Sequence, residues 1–108
     1  MNDLLREWSG PLAQVIIEKR RYAILRHLHD TPSRELALSV LKQGCRAQGV
    51  LPTDDDEVAT AVRWLEGQGL VRMRDQGGFV TARLTPGGED VLTGHAAVAG
   101  ILAFGDAV

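Results

Sequence analysis

Residues 53–71, TDDDEVATAVRWLEGQGLV, constrain the fold more than any other part of the chain, because they hold a start signal, an apolar stripe and a stop signal together. Thr53 or Asp54 can cap a helix by accepting backbone N–H bonds, and Asp55, Asp56 and Glu57 suit the positive end of its dipole. Val58, Ala61, Val62 and Leu65 recur at i, i+3, i+4 and i+7, which places them on one face. Gly67 and Gly69 allow the positive φ that ends a helix, and Leu70 and Val71 begin an extended run. A helix with one apolar face owes most of its stability to whatever covers that face, so the rest of the chain must supply the cover.

Ser9, Gly10 and Pro11 read as a helix entry, and residues 12–29 as a first helix. Its core stripe is Ile17, Ile24, Leu25 and Leu28, with Ile16 and Ala23 beside it. Lys19, Tyr22, Arg26 and His29 fall on the opposite side. Arg21 lies within the apolar sector and must snorkel or find a carboxylate; snorkelling is the expectation. After the break at Asp30, Thr31 and Pro32, Ser33 reads as the cap of a second helix, with Glu35 in its first turn and an end near Gln43. Leu36, Ala37, Val40 and Leu41 make its buried face, and Leu38 lies off that face. An irregular link over residues 44–52 follows, from which Val50 or Leu51 plugs the core.

Beyond the central helix, residues 70–74 and 79–84 flank Asp75, Gln76, Gly77 and Gly78, which predicts a β-hairpin. Val71 and Met73 alternate with Arg72 and Arg74. Val80, Ala82 and Leu84 alternate with Phe79, Thr81 and Arg83. One face packs on the helices and the other carries Arg72, Arg74 and Arg83. Thr85 and Pro86 then open a last helix, with Val91 and Leu92 facing inward. Gly94 ends that helix, or else His95, Val98, Ala99 and Leu102 continue its stripe. The segment after it is small, apolar and nearly uncharged: a docked tail, a contact between subunits, or a partly disordered end.

The chain's 108 residues suit one domain with a modest core, divided as an N-terminal arm (1–11), the domain proper (12–94) and an apolar tail (95–108). A net charge of −2 argues against a dedicated non-specific nucleic-acid binder but allows a local basic patch. Cys45 is the only cysteine, so neither an intrachain disulfide nor a multi-thiolate metal site can form. No apolar run approaches a membrane span and residues 1–12 lack a signal peptide's apolar segment, which points to a cytoplasmic protein.

The order helix, helix, helix, hairpin, helix, with "WLEGQGLVRMRDQGGFVTARLTPGGEDVL", resembles winged helix-turn-helix regulators. The exit from helix three at residues 65–71 and the "LTPGG" entry to the last helix carry the likeness, which covers roughly residues 15–95. With "RYAILRHL" early in the chain, the layout also resembles small winged-helix proteins encoded by Mu-like phages. The resemblance implies a mainly α fold of three to four helices plus a two-stranded antiparallel wing. It also implies a role on double-stranded DNA, as a dimeric transcriptional regulator or a phage DNA-handling accessory protein. By that analogy Thr60 and Arg63 would face the groove, while Arg72, Arg74 and Arg83 grip phosphate. The acidic first turn of helix three conflicts with phosphate contact, although it is also sound helix chemistry.

The alternative is a winged-helix module that binds protein through the acidic start of helix three or the apolar tail. Catalysis has little support: Gly77-Gly78 and Gly87-Gly88 are turn and helix-entry glycines without a phosphate-loop Lys. His27, His29 and His95 make no ligand set, and adjacent acids on a helix diverge, so no metal, cofactor or catalytic residue is expected. Trp64 reads as a packing residue.

Overall fold

In the computed structural model, which describes residues 2–105 and side chains from residue 10 onward, α1 (Asn2–Asp30) is followed by β1 (Glu35–Ala37), α2 (Leu38–Ala47) and α3 (Asp55–Gly67). β2 (Val71–Asp75), β3 (Val80–Leu84) and α4 (Pro86–Leu92) complete the domain. The strands form one antiparallel sheet in the order β1-β3-β2. This is a winged helix with four helices, and its sheet has one strand more than the two-stranded wing expected.

The stripe on α3 does what its spacing requires. Val58, Ala61, Val62 and Leu65 are all buried, against Ile24, Leu25 and Leu28 of α1, Leu41 and Cys45 of α2, and Val71, Ala82 and Leu84 of the hairpin. Val50 is the loop residue that enters the core; Leu51 is 56% exposed. Asp54 is the N-cap of α3, and its backbone N–H donates to the Glu57 carboxylate at 2.8 Å. Thr53 has a different task. It is buried, its hydroxyl donates to Val50 O at 2.6 Å, and it accepts from Arg20 Nε at 3.1 Å. Arg20 also donates to Pro52 O. A guanidinium only 5% exposed needs such acceptors, and here they moor the entry of α3 to α1.

Several local expectations are corrected. The first helix does not begin at Ser9, Gly10 and Pro11 but runs unbroken from Asn2 through Pro11. Proline removes one backbone donor, and the residues before it are rich in Leu, Arg and Glu, which are good helix formers. The side chains of Leu4, Leu5 and Trp8 lie outside the described residues. The second helix begins at Leu38, not near Ser33. Arg34 takes a left-handed φ of 61°, and residues 35–37 leave the helix to pair with β3. The turn is held by Arg34 itself, whose guanidinium donates to the carbonyls of His29 and Thr31 and to Glu89. The shift in register leaves Val40 half exposed and brings Leu38 against the core.

Tyr22, expected on the outer side of α1, is buried because the tail lies over it, with Phe104 edge-on at 5.7 Å between ring centroids. α4 ends at Leu92, and Val98, Ile101 and Phe104 then pack on the core. Of the three fates open to residues 95–108, the described part through Gly105 is docked. Arg21 does not simply snorkel, and it forms no carboxylate ion pair within 4 Å among the described residues. Its guanidinium stacks on Trp64, 3.8 Å from the ring centroid, and donates to Gly100 O at 2.9 Å. Gly100, at φ 98°, closes this clasp; a Cβ there would stand 2.9 Å from both Arg21 Nη1 and Trp64.

The α4 entry fits as tightly. Thr85 caps it, accepting from Gly88 N at 3.1 Å, and a Cβ on Gly88 would lie 2.3 Å from Leu70 O and 2.4 Å from Leu84 Cδ1. Gly88→Ala should therefore lower unfolding stability by roughly 1–3 kcal/mol, the usual cost of overpacking. Gly67→Ala, whose added carbon meets nothing within 4 Å, should not lower it. Urea unfolding of both variants tests this, and an unchanged midpoint for Gly88→Ala would contradict the packing.

Candidate nucleic-acid interface

The alternation of β2 and β3 sends Val71, Met73, Ala82 and Leu84 toward the helices and Arg72, Arg74, Thr81 and Arg83 to the outer face of the sheet. Register then arranges the outer residues in rows. Arg72 stands opposite Arg83, and Arg83 stands opposite Glu35 of β1. In the next row Arg74 stands opposite Thr81, and Thr81 opposite Ala37.

Glu35 is the organising acid of this face. Its side chain is only 16% exposed, and it lies 3.6 Å from both Arg74 and Arg83. The Thr81 hydroxyl donates to it at 2.5 Å. That hydrogen bond, with the two guanidinium groups adding, holds the Glu35 carboxyl below the usual carboxylate range, although partial burial works the other way. Two arginines share this one carboxylate and a third, Arg72, stands beside Arg83, so arginines outnumber acids on this face. Arg74 and Arg83 keep about half of their side-chain surface open. Arg72 is exposed and has no acid partner among the described residues.

The front of α3 is organised differently. Asp54 lies 3.5 Å from Arg46, and Asp55 lies 2.9 Å from Lys42, so two of its acids bind it to α2. Glu57 is occupied at the cap. Asp56 alone of this group has no such partner among the described residues. Thr60 and Arg63 are both exposed on the side of α3 away from the core. Thr60 lines a cleft of about 310 Å³ between α1 and α3, with Arg20, Arg21, Asp56 and Glu57.

The fold thus brings Arg72, Arg74 and Arg83 together and adds Glu35 and Thr81 to them. Thr60 and Arg63 are exposed on α3, and no contact joins them to these arginines among the described residues. Glu35 had been expected in a helical first turn. A strand of three residues has no periodic signal, so nothing in the local pattern points to its true position.

Other chemistry-bearing groups have structural roles. Burial pushes the Cys45 thiol up to about 11, so it stays protonated at neutral pH. Glu89 bridges His29 at 3.2 Å and Arg34 at 2.8 Å, and these hydrogen bonds lower its carboxyl pKa. Among the described residues no three His, Cys, Asp or Glu side chains are grouped to hold a metal ion, and no helix is long and apolar enough to cross a membrane.

Comparison with known proteins agrees with this architecture. The chain is 37% identical over 87 residues to the uncharacterized protein gp26 of Escherichia phage Mu, a match covering 81% of this chain and 88% of that protein. Its fold is similar to the crystal structure of Sco5413, a MarR family transcriptional regulator from Streptomyces coelicolor. The TM-score is 0.51 and the identity 20%, with 87% of this chain and 71% of that chain covered. At that identity the likeness concerns the fold alone. No protein-family model matches the chain.

The lowered pKa of Glu35 fixes the sign of a pH effect. Its stabilising contribution is present above the unfolded carboxyl pKa of roughly 4.3 and is lost as pH falls through the folded value. Glu35→Gln should be less stable than the parent at neutral pH, and the gap should close as the solution is acidified below about pH 4. Because Glu89 titrates in both proteins, the difference between them isolates Glu35. Thermal unfolding across pH measures it; a gap that does not change with pH contradicts this account.

Proposed function

For a chain that belongs to the family of the phage Mu protein gp26 and folds as a winged helix, we propose a double-stranded DNA-binding function, as a transcriptional regulator or a phage DNA-handling accessory protein. The observation that carries this reading is the outer face of the sheet. Arg74 and Arg83 meet there at a single partly buried acid, and Arg72 stands opposite Arg83 without one. Guanidinium groups on a rigid sheet are suited to phosphate oxygens, which take paired N–H donors. The domain's net charge of −2 does not oppose this, because Asp54, Asp55 and Glu57 of α3 are engaged at its cap and its seam with α2. Phosphate contact is then led by the sheet, with Arg63 and Thr60 contributing from α3.

The same observations weigh against a module that binds protein alone through the acidic turn or the tail. Asp54 and Asp55 already have internal partners, and the tail is packed on α1 and Trp64.

A homodimer fits the apolar surface of α1, where Leu12 is 58% and Val15 38% exposed one turn apart. Leu12→Glu with Val15→Glu should leave a folded monomer, and light scattering that finds the parent monomeric removes the dimer from the reading.

Duplex binding should weaken linearly with the logarithm of salt concentration. Two to three phosphate contacts at about 0.9 each give a slope of roughly −2 to −3. Arg72→Glu with Arg74→Glu should abolish binding. Fluorescence anisotropy on a 20-base-pair duplex measures both, and the absence of salt-dependent binding to any duplex at low ionic strength would sink the proposal.

A further inference from the structure

Arg72 and Arg83 are direct cross-strand partners. Opposed Cβ atoms in such a pair lie about 4.5–5.5 Å apart, and like charges placed there repel. Glu35 relieves this only from the far side of Arg83, at 3.6 Å, and it shares itself with Arg74. Arg72 receives no such relief among the described residues.

Both arginines line one cleft of about 430 Å³, whose remaining walls are Gly69, Leu84, Thr85, Pro86 and Gly87. No carboxylate is among these lining residues. The Thr85 hydroxyl is already engaged, donating to Gly69 O at 2.6 Å and accepting from Gly88 N at 3.1 Å. The glycines put no side chain in the way. The cleft is therefore lined by two arginines and no acid, and of the two Glu35 reaches only Arg83, from outside the lining. A tetrahedral oxyanion can accept from both guanidinium forks at once and cancels the repulsion between them.

We propose that Arg72 and Arg83 form one shared seat for a single phosphate group, in place of two independent phosphate contacts. As a contact to duplex DNA, the seat rests on the function proposed above; as a phosphate site, it rests on the cleft itself. Arg74, one row along, is not among the residues that line the cleft and lies outside it.

Two arms test the seat. In the first, inorganic phosphate is titrated into ¹⁵N-labelled protein and compared with chloride at matched ionic strength, following the arginine Nε–Hε signals. The signals of Arg72 and Arg83 should move together and saturate in phosphate only. Those of Arg63 and Arg74 should not follow, and Arg72→Gln should remove the Arg83 response. Unsaturable shifts common to all exposed arginines, or an Arg83 response that survives Arg72→Gln, would overturn the seat.

In the second arm, Arg72→Gln, Arg83→Gln and the double variant are titrated with a 20-base-pair duplex over a salt series. A shared seat predicts that either single change loses most of what the double loses, and that the double lowers the salt slope by about 0.9, the value of one phosphate. Multiplying losses and a fall of about twice that size mean two separate contacts, and overturn the sharing. If phosphate saturates the pair while duplex binding is absent or indifferent to both changes, the seat stands as a site for a small phosphate-bearing ligand and the DNA reading of this face fails.

Discussion

The contact on which the rest of this domain depends is the burial of one face of α3. Val58, Ala61, Val62 and Leu65 are enclosed by α1, by α2 and by the inner side of the hairpin. Each fully buried Val or Leu of this kind is worth about 1.5–3 kcal/mol relative to exposure, so no element of so small a domain folds independently of it. The enclosure also decides what remains available. One side of α3 closes the core, Asp54 and Asp55 at its start pair with α2 while staying exposed, and Asp56, Thr60, Arg63 and Glu66 also face solvent. The sheet has the same economy: its inner side closes the core, which leaves Arg72, Arg74 and Arg83 nowhere to go but outward.

Charge is separated accordingly. An acidic helix start conflicts with a phosphate surface only if those acids are free and face the same way as the arginines. Here Asp54 and Asp55 meet Arg46 and Lys42 across the α2–α3 seam, and Glu57 completes the cap. Of the hairpin arginines, Arg74 and Arg83 are met by a different acid, Glu35. A domain with a small negative net charge can therefore carry a positive face, because charges screened by close partners contribute little beyond a Debye length of about 8–10 Å.

A second group of contacts ties the chain's ends to this centre. Arg20 moors the entry of α3 through Thr53 and Pro52, and its neighbour Arg21 is held between Trp64 and Gly100. Lys19, the next residue back, lies over Phe104. Three consecutive basic residues of α1 thus serve packing, which explains why so basic a stretch does not add to the candidate interface. The same logic joins α1, the turn at Arg34 and α4, where Glu89 holds both His29 and Arg34.

What the sequence determined by itself is what a single element encodes by its own period and ends. The α3 stripe and its acidic cap region, the glycine exit into β2, the alternation that puts Arg72, Arg74 and Arg83 on one side, and the Thr85-Pro86 entry to α4 were all legible for that reason. What only the tertiary structure decided depends on partners far apart in the chain. Residues 35–37 become a strand because β3 offers an edge and Arg34 can be held in a left-handed turn, and three residues are too few to announce this by periodicity. Tyr22 is inside because Phe104 covers it. Arg21 is held by a ring and a carbonyl contributed by α3 and the tail. Glu35 joins the arginines only when two strands more than 40 residues apart align in register. Local spacing states which side of an element is apolar; it does not state which distant side chain arrives to meet the other side.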